Sequence, residues 1–158
     1  MTGRKRHILV DSNGRLLKVT VHSAALQDSD GGRLLLSGLG QHFPRLQHLW
    51  ADAGYKKAFI EWVVASLHWT VEIVRPPHRP TGEYATLLRN FLGDAEFERR
   101  YPIGFQVLPR RWVVERTFAW IVRHRRLAKD VELYPLTSET WIYLLMSRLM
   151  LKRIASHS

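Results

Sequence analysis

The sequence predicts an α/β domain built on a mixed sheet, and three features carry that prediction. Two β-rich runs, Ile8-Leu9-Val10 and Leu16-Leu17-Lys18-Val19-Thr20-Val21, flank a turn. Short apolar runs then alternate with helical patterns. Strongly patterned helices close the chain.

Taken in order, Asp11-Ser12-Asn13-Gly14 separates the first two runs. Asn-Gly tolerates the positive φ angles of a tight connection, so the pair reads as a β-hairpin. Asp28-Ser29-Asp30 offers capping carboxylates for a short helix carrying Leu34, Leu35, Leu36 and Leu39. His48-Leu49-Trp50-Ala51 is a brief strand ending at Asp52. From about Lys57, Phe59, Trp62, Val63 and Leu67 recur at helical spacing. Val71-Glu72-Ile73-Val74 follows as a strand, stopped by Arg75-Pro76-Pro77. The stretch 82–100 reads as helical around Leu87, Leu88, Phe91 and Leu92.

Pro109 opens the clearest helix, because proline at a first helical position forfeits only an N–H that would go unpaired there. Val113, Thr117, Trp120 and Ile121 fall on its core side, with Arg111, Glu115 and Arg126 opposite. A last helix, capped near Thr137, presents Ile142, Leu145, Met146 and Leu149. There is no low-complexity linker and no internal repeat, so residues 1–158 read as a single domain.

Composition narrows the function. An apolar fraction of 46% is too rich for a disordered chain. No apolar run approaches the ~20 residues that span a bilayer. The absence of cysteine excludes disulfides and thiolate zinc sites, and fits a reducing cytoplasm. Lys and Arg number 24 against 14 Asp and Glu, a formal charge of +10. That balance is the footprint of a polyanion binder, with nucleic acid the commonest partner. No GxxxxGK[ST] loop suggests a nucleotide-driven motor. His22, His42, His48, His68, His78 and His124 show no zinc spacing and suit surface or phosphate-contacting positions. Trp62, Trp69, Trp112, Trp120 and Trp141 read as core residues.

Two carboxylates stand out. Asp52 ends a short strand, where α/β sheets place ligand sites, although turn aspartates are common in the same position. Glu115 lies among Arg110, Arg111, Arg116, Arg123, Arg125 and Arg126. It reads either as the i, i+4 partner of Arg111 or as a metal-binding carboxylate inside a phosphate-binding surface. A pair of carboxylates without cysteine favours Mg²⁺ or Mn²⁺ and phosphodiester displacement.

Three blocks occur in order along nearly the whole chain: Gly3-Arg4-Lys5-Arg6-His7-Ile8-Leu9-Val10-Asp11, Trp50-Ala51-Asp52-Ala53-Gly54-Tyr55, and Arg110-Arg111-Trp112-Val113-Val114-Glu115-Arg116-Thr117-Phe118-Ala119-Trp120. Together they resemble the bacterial insertion-sequence transposases with a DDE active site and an RNase H-like fold. The resemblance implies that Asp52 and Glu115 are catalytic metal ligands for Mg²⁺ or Mn²⁺. It places Arg111 in the signature around the glutamate, with Arg116, Arg123 and Arg126 as DNA-phosphate contacts. Leu108 and Val122 depart from that signature, where relatives carry tyrosine and lysine.

The family's first catalytic aspartate lies on a central strand upstream of the Gly-Arg-Lys-Arg-His block, which only Met1 and Thr2 precede here. The expectation is therefore a partial catalytic domain, missing its first strand and inactive alone. A misassigned start, a decayed remnant and a fragment completed by another polypeptide are the three explanations. Asp11 lies at the wrong end of the sheet to substitute, and Asp28 and Asp30 read as helix caps. The expected partner is double-stranded DNA, as transposon ends and target, bound by a homodimer in the bacterial cytoplasm beside the nucleoid. The alternative expectation is an inactive DNA-binding remnant that interferes with the intact enzyme.

Overall fold

The computed structural model describes residues 3–75, 78–104 and 108–156. Its opening hairpin pairs β1 (Arg4–Val10) antiparallel with β2 (Leu16–Ser23). β1 begins four residues before the apolar run, inside the basic block, because its polar side chains all find partners. Side chains alternate along a strand. Arg4 and Arg6 reach one way, donating to the carbonyls of Glu132, Leu133 and Leu127 at 2.7–2.8 Å. Lys5 reaches the other way to Asp28 at 3.0 Å. The basic block is thus a strand that pins both flanks of the fold.

The connection is longer than a two-residue Asn-Gly turn. Gly14 alone takes a positive φ, of 78°, and its N–H donates to the Asp11 carbonyl. The Asp11 carboxylate accepts the N–H groups of Asn13 and Arg15 at 2.9 and 2.8 Å. A single left-handed glycine after a turn, with a register shift between Leu9 and Val10, is the bulged hairpin geometry.

α1 (Asp28–Leu36) and α2 (Leu39–His42) are one helical stretch broken at Gly38, whose φ is 76°. The capping expectation fails here. Gln27 is the N-cap, Asp28 is already helical, and no side chain caps the first turn. β3 (His48–Ala51) runs parallel to β4 (Thr70–Ile73), joined through α3 (Lys57–Leu67). The proposed stop for β4 at Pro76-Pro77 lies outside the described residues. α4 (Gly82–Leu92) and α5 (Asp94–Arg100) form a helical pair divided at Gly93. Leu88 and Leu92 are half-buried, but Leu87 and Phe91 face solvent.

α6 (Pro109–Val122) begins at the proline, as its sequence requires. Thr117 and Ile121 are fully buried, and the Thr117 hydroxyl donates to the Gly14 carbonyl at 2.9 Å, locking α6 onto the hairpin turn. α7 (Arg125–Ala128) is a single turn that the sequence does not announce. α8 (Pro135–Ala155) starts two residues before Thr137, with Tyr134 as its N-cap.

The core forms two clusters. One packs Leu35, Leu36, Phe59, Val63 and Trp69 beneath β1. The other packs Val19, Val21, Ile121, Ile142 and Met146 between β2 and the last helices. The α/β class holds. A single mixed sheet does not, because the described strands form two separate two-stranded sheets, β1–β2 and β3–β4. No described strand bridges β1 to β3, and a cleft of about 1000 Å³ lies between them.

Candidate active site

The cleft is built from strand edges, helix faces and two turns. β1 and β3 line it along their lengths, Leu35, Leu36 and Phe59 contribute from α1 and α3, and Val113, Val114 and Phe118 from α6. Asp52 and Glu115, which the sequence keeps far apart, both line this one space.

Asp52 stands where β3 gives way to a turn. The Gly54 N–H donates to its Oδ1 at 2.8 Å, which orients the carboxylate. A Cβ placed on Gly54 would lie 3.0 Å from Asp52 Oδ1 and 3.1 Å from Asp28 Oδ2. Glycine here therefore lets two carboxylates close on one backbone position. Asp28 is a cleft residue that sequence reasoning missed. Its place at a helix start suggested a cap, whereas its carboxylate turns to Lys5 and lies beside Asp52.

Glu115 is half exposed and accepts from Arg111 Nε at 2.9 Å. So the local ion pair and the position in the cleft are both real. An exposed i, i+4 pair of this kind contributes only a few tenths of a kcal/mol, little enough for a stronger ligand to displace. Arg110 lies over the Trp50 ring, 4.2 Å from its centroid, at the same wall.

The other expected phosphate contacts divide. Arg123 is exposed at the end of α6. Arg116 donates to the Asn13 carbonyl at 2.9 Å and packs on Trp120, so it joins α6 to the hairpin. Arg126 is ion-paired with Glu132 at 2.8 Å and lies 4.2 Å from the Trp141 ring centroid. The tryptophans also divide. Trp69 is buried, while Trp112 is 48% exposed and Trp141 lies at the surface under Arg126.

His7 is buried at the same end of the cleft. Its ring stacks on His22 with centroids 4.8 Å apart, and its Nδ1 shares a 2.7 Å hydrogen bond with the Tyr55 hydroxyl. Burial, then the neighbouring His22, holds its pKa below the ordinary histidine value, against opposing pulls from Asp28 and Asp52. Burial and the same two carboxylates push the Tyr55 phenol well above its ordinary value.

A depressed folded pKa means that the unfolded chain takes up a proton the folded chain refuses. Stability is then full above about pH 6.5 and falls as pH drops through the window below it. Thermal melts from about pH 7.5 to about pH 5.5 should show Tm falling as the pH drops. His7→Gln should flatten the fall.

The transposase DDE domain family model matches residues 1–150. The chain belongs to that family. No curated protein and no solved structure matches it. Among the described residues of this transposase domain, no helix is long and apolar enough to cross a membrane. Nor do any three described His, Asp or Glu side chains form a group able to hold a metal ion alone.

Proposed function

We propose that the domain belongs to an enzyme of divalent-metal-dependent DNA strand cleavage and strand transfer in the transposition of a bacterial insertion sequence, with Asp52 and Glu115 among its metal ligands. The observation that carries this reading is that both residues line one cleft in a transposase DDE domain. An RNase H-like sheet is the finer fold that goes with it. Double-stranded DNA is the substrate, as element ends and target, and a homodimer on paired ends in the bacterial cytoplasm is the assembly.

The donor chemistry fits a hard cation. All the candidate ligands are carboxylate oxygens, and Mg²⁺ is commonly held by one or two carboxylates with the remaining ligands from water and substrate phosphate. When bound, such a cation supplies charge stabilisation to the attacking and leaving oxygens of a phosphodiester displacement.

The protein's own residues do the rest. The Gly54 N–H fixes Asp52 through Oδ1 and leaves Oδ2 for coordination. Arg111 holds Glu115 at the wall and offers its guanidinium to a phosphate once Glu115 is engaged. Lys5 offsets Asp28, which lowers the repulsion that Asp52 would otherwise meet. Arg123 contacts the DNA backbone from the end of α6.

A second reading is an inactive DNA-binding protein that interferes with the intact transposase. It draws on the formal charge of +10, which suits a polyanion partner whether or not the chain cleaves it. The two readings separate in a supercoiled-plasmid assay. Nicking that requires Mg²⁺ or Mn²⁺ supports the catalytic reading, and metal-independent binding without nicking supports the second. On either reading, Arg123→Ala should weaken binding evenly across DNA sequences and reduce the salt slope by about one. An unchanged slope in filter binding would remove Arg123 from the interface.

A further inference from the structure

The two candidate ligands sit on elements that are anchored separately. Asp52 directly follows β3, and Glu115 lies midway along α6. The second half of α6 is fastened to the hairpin. Thr117 and Ile121 are fully buried, the Thr117 hydroxyl donates to the Gly14 carbonyl, and Arg116 donates to the Asn13 carbonyl. From Arg110 to Glu115, by contrast, no side chain is buried. Core packing therefore holds α6 near one point and leaves its tilt against β3 to other contacts.

A surface contact supplies the second point. The Arg110 guanidinium lies 4.2 Å from the Trp50 ring centroid, and tryptophan is the ring that attracts a cation best. Trp50 comes just before Asp52 on β3, and Arg110 lies in the first turn of α6, ahead of Glu115. Arg110 and Thr117 are about 10 Å apart along the axis, at 1.5 Å per residue. Two anchors that far apart fix the tilt of a helix, whereas one leaves it free to swing.

The tryptophan is itself held from the sheet. β3 and β4 place Trp50 opposite Glu72 and His48 opposite Thr70. Trp50 Nε1–H donates to the Glu72 carboxylate at 3.1 Å, and the His48 ring meets the indole with centroids 4.4 Å apart. His48 Nδ1 shares a 2.6 Å hydrogen bond with the Thr70 hydroxyl. The neighbouring arginines thus divide. Arg111 turns to Glu115 on its own helix, and Arg110 turns to the sheet.

We propose that Arg110 and Trp50 are a positioning pair, whose stack holds the first half of α6 against β3 and so sets the spacing between Asp52 and Glu115. The inference rests on the reading of those two carboxylates as metal ligands. Groups that share a site must be held to about 0.5 Å, and here they belong to two elements that core packing does not tie together.

The chain has no cysteine, so Lys57→Cys and Trp112→Cys, both exposed, carry spin labels at unique places on α3 and α6. Pulsed electron paramagnetic resonance, without metal or DNA, should give one narrow distance distribution. Arg110→Ala and Trp50→Leu should each broaden it, and Arg110→Lys, which keeps a cation over the ring, should leave it narrow. In the unlabelled protein saturated with DNA, Mn²⁺ affinity should fall about fivefold in Arg110→Ala and in Trp50→Leu, with Arg110→Lys close to the parent. The double variant should be no weaker than either single one. Removing a cation from beside a cation site would by electrostatics alone tighten Mn²⁺ binding, so weakening marks positioning. A distance distribution unchanged in both variants would overturn the proposal, as would a broadened one with Mn²⁺ affinity held or tightened. A parent that binds Mn²⁺ no better than Asp52→Asn would instead remove the metal reading on which the pair depends, so the two failures are distinguishable.

Discussion

Asp52→Asn and Glu115→Gln should each abolish metal-dependent DNA cleavage while leaving DNA binding in place. Loss of residues that merely orient metal ligands typically costs 10–100-fold, so loss of a ligand should cost about a hundredfold or more. Both substitutions keep side-chain volume and remove a negative charge from a basic surface, so simple electrostatics predicts equal or tighter DNA binding. That opposition separates a ligand role from a structural one. Neither residue is buried, so the fold should survive both changes. The measurement is plasmid nicking in Mg²⁺ or Mn²⁺ beside a filter-binding titration, with circular dichroism as the folding control. Unchanged nicking by both variants would remove these carboxylates from catalysis. Arg111→Ala should behave differently, because it frees Glu115 from its ion pair and removes the proposed phosphate contact. Its loss should appear in DNA affinity as well as in rate.

The second large effect is on stability. Phe59 is 1% exposed, packs against Tyr55 and Trp62, and forms part of the cleft wall. Phe59→Ala should cost about 3–5 kcal/mol, the usual range for emptying a buried aromatic site. For a chain of this size that lowers Tm by roughly 6–20 °C. Gly32 explains why the site cannot simply close over the loss. A Cβ there would already meet the Tyr55 and Phe59 rings at 2.6 and 2.7 Å, so α1 sits as close to α3 as a glycine permits. Gly32→Ala should therefore destabilise the parent and be tolerated better beside Phe59→Ala. A differential scanning calorimetry cycle of the two variants measures that coupling. Additive changes would show that the two positions do not share the packing described.

Much of this architecture is written in local pattern. Pro109 and the spacing of Val113, Thr117 and Ile121 locate α6 and its buried face, and Phe59 and Val63 do the same for α3. The short strand before Asp52 is legible because an apolar run ends in turn residues. Other features depend on partners that no local pattern displays. The partners of Arg4, Lys5 and Arg6, which are the carbonyls of Leu127, Glu132 and Leu133 and the Asp28 carboxylate, come from distant segments. Asp28 resembles a cap because capping and ligand carboxylates occupy the same sequence position, and only Gly54 brings it beside Asp52. Arg116 and Arg126 carry the same charge as Arg123, but each is held by a carbonyl or carboxylate and a tryptophan ring.

The candidate site was legible as residue types rather than as a place. Asp52 and Glu115 belong to separate elements, and nothing in their spacing brings them to one cleft. That arrangement follows from Thr117 anchoring α6 to the hairpin turn while Phe59 anchors α3 beneath β1. The hairpin and the parallel strand pair are both legible, and among the described strands they stay in two separate sheets.

The central claim is that Asp52 and Glu115 hold one divalent cation together. Titration of Mn²⁺ into the DNA-bound protein, followed by electron paramagnetic resonance of the free ion, tests it most directly. The account predicts saturable binding that Asp52→Asn and Glu115→Gln each weaken by about tenfold or more, and that the double variant weakens little further, because both act on one site. Mn²⁺ affinity unchanged by either substitution would contradict it.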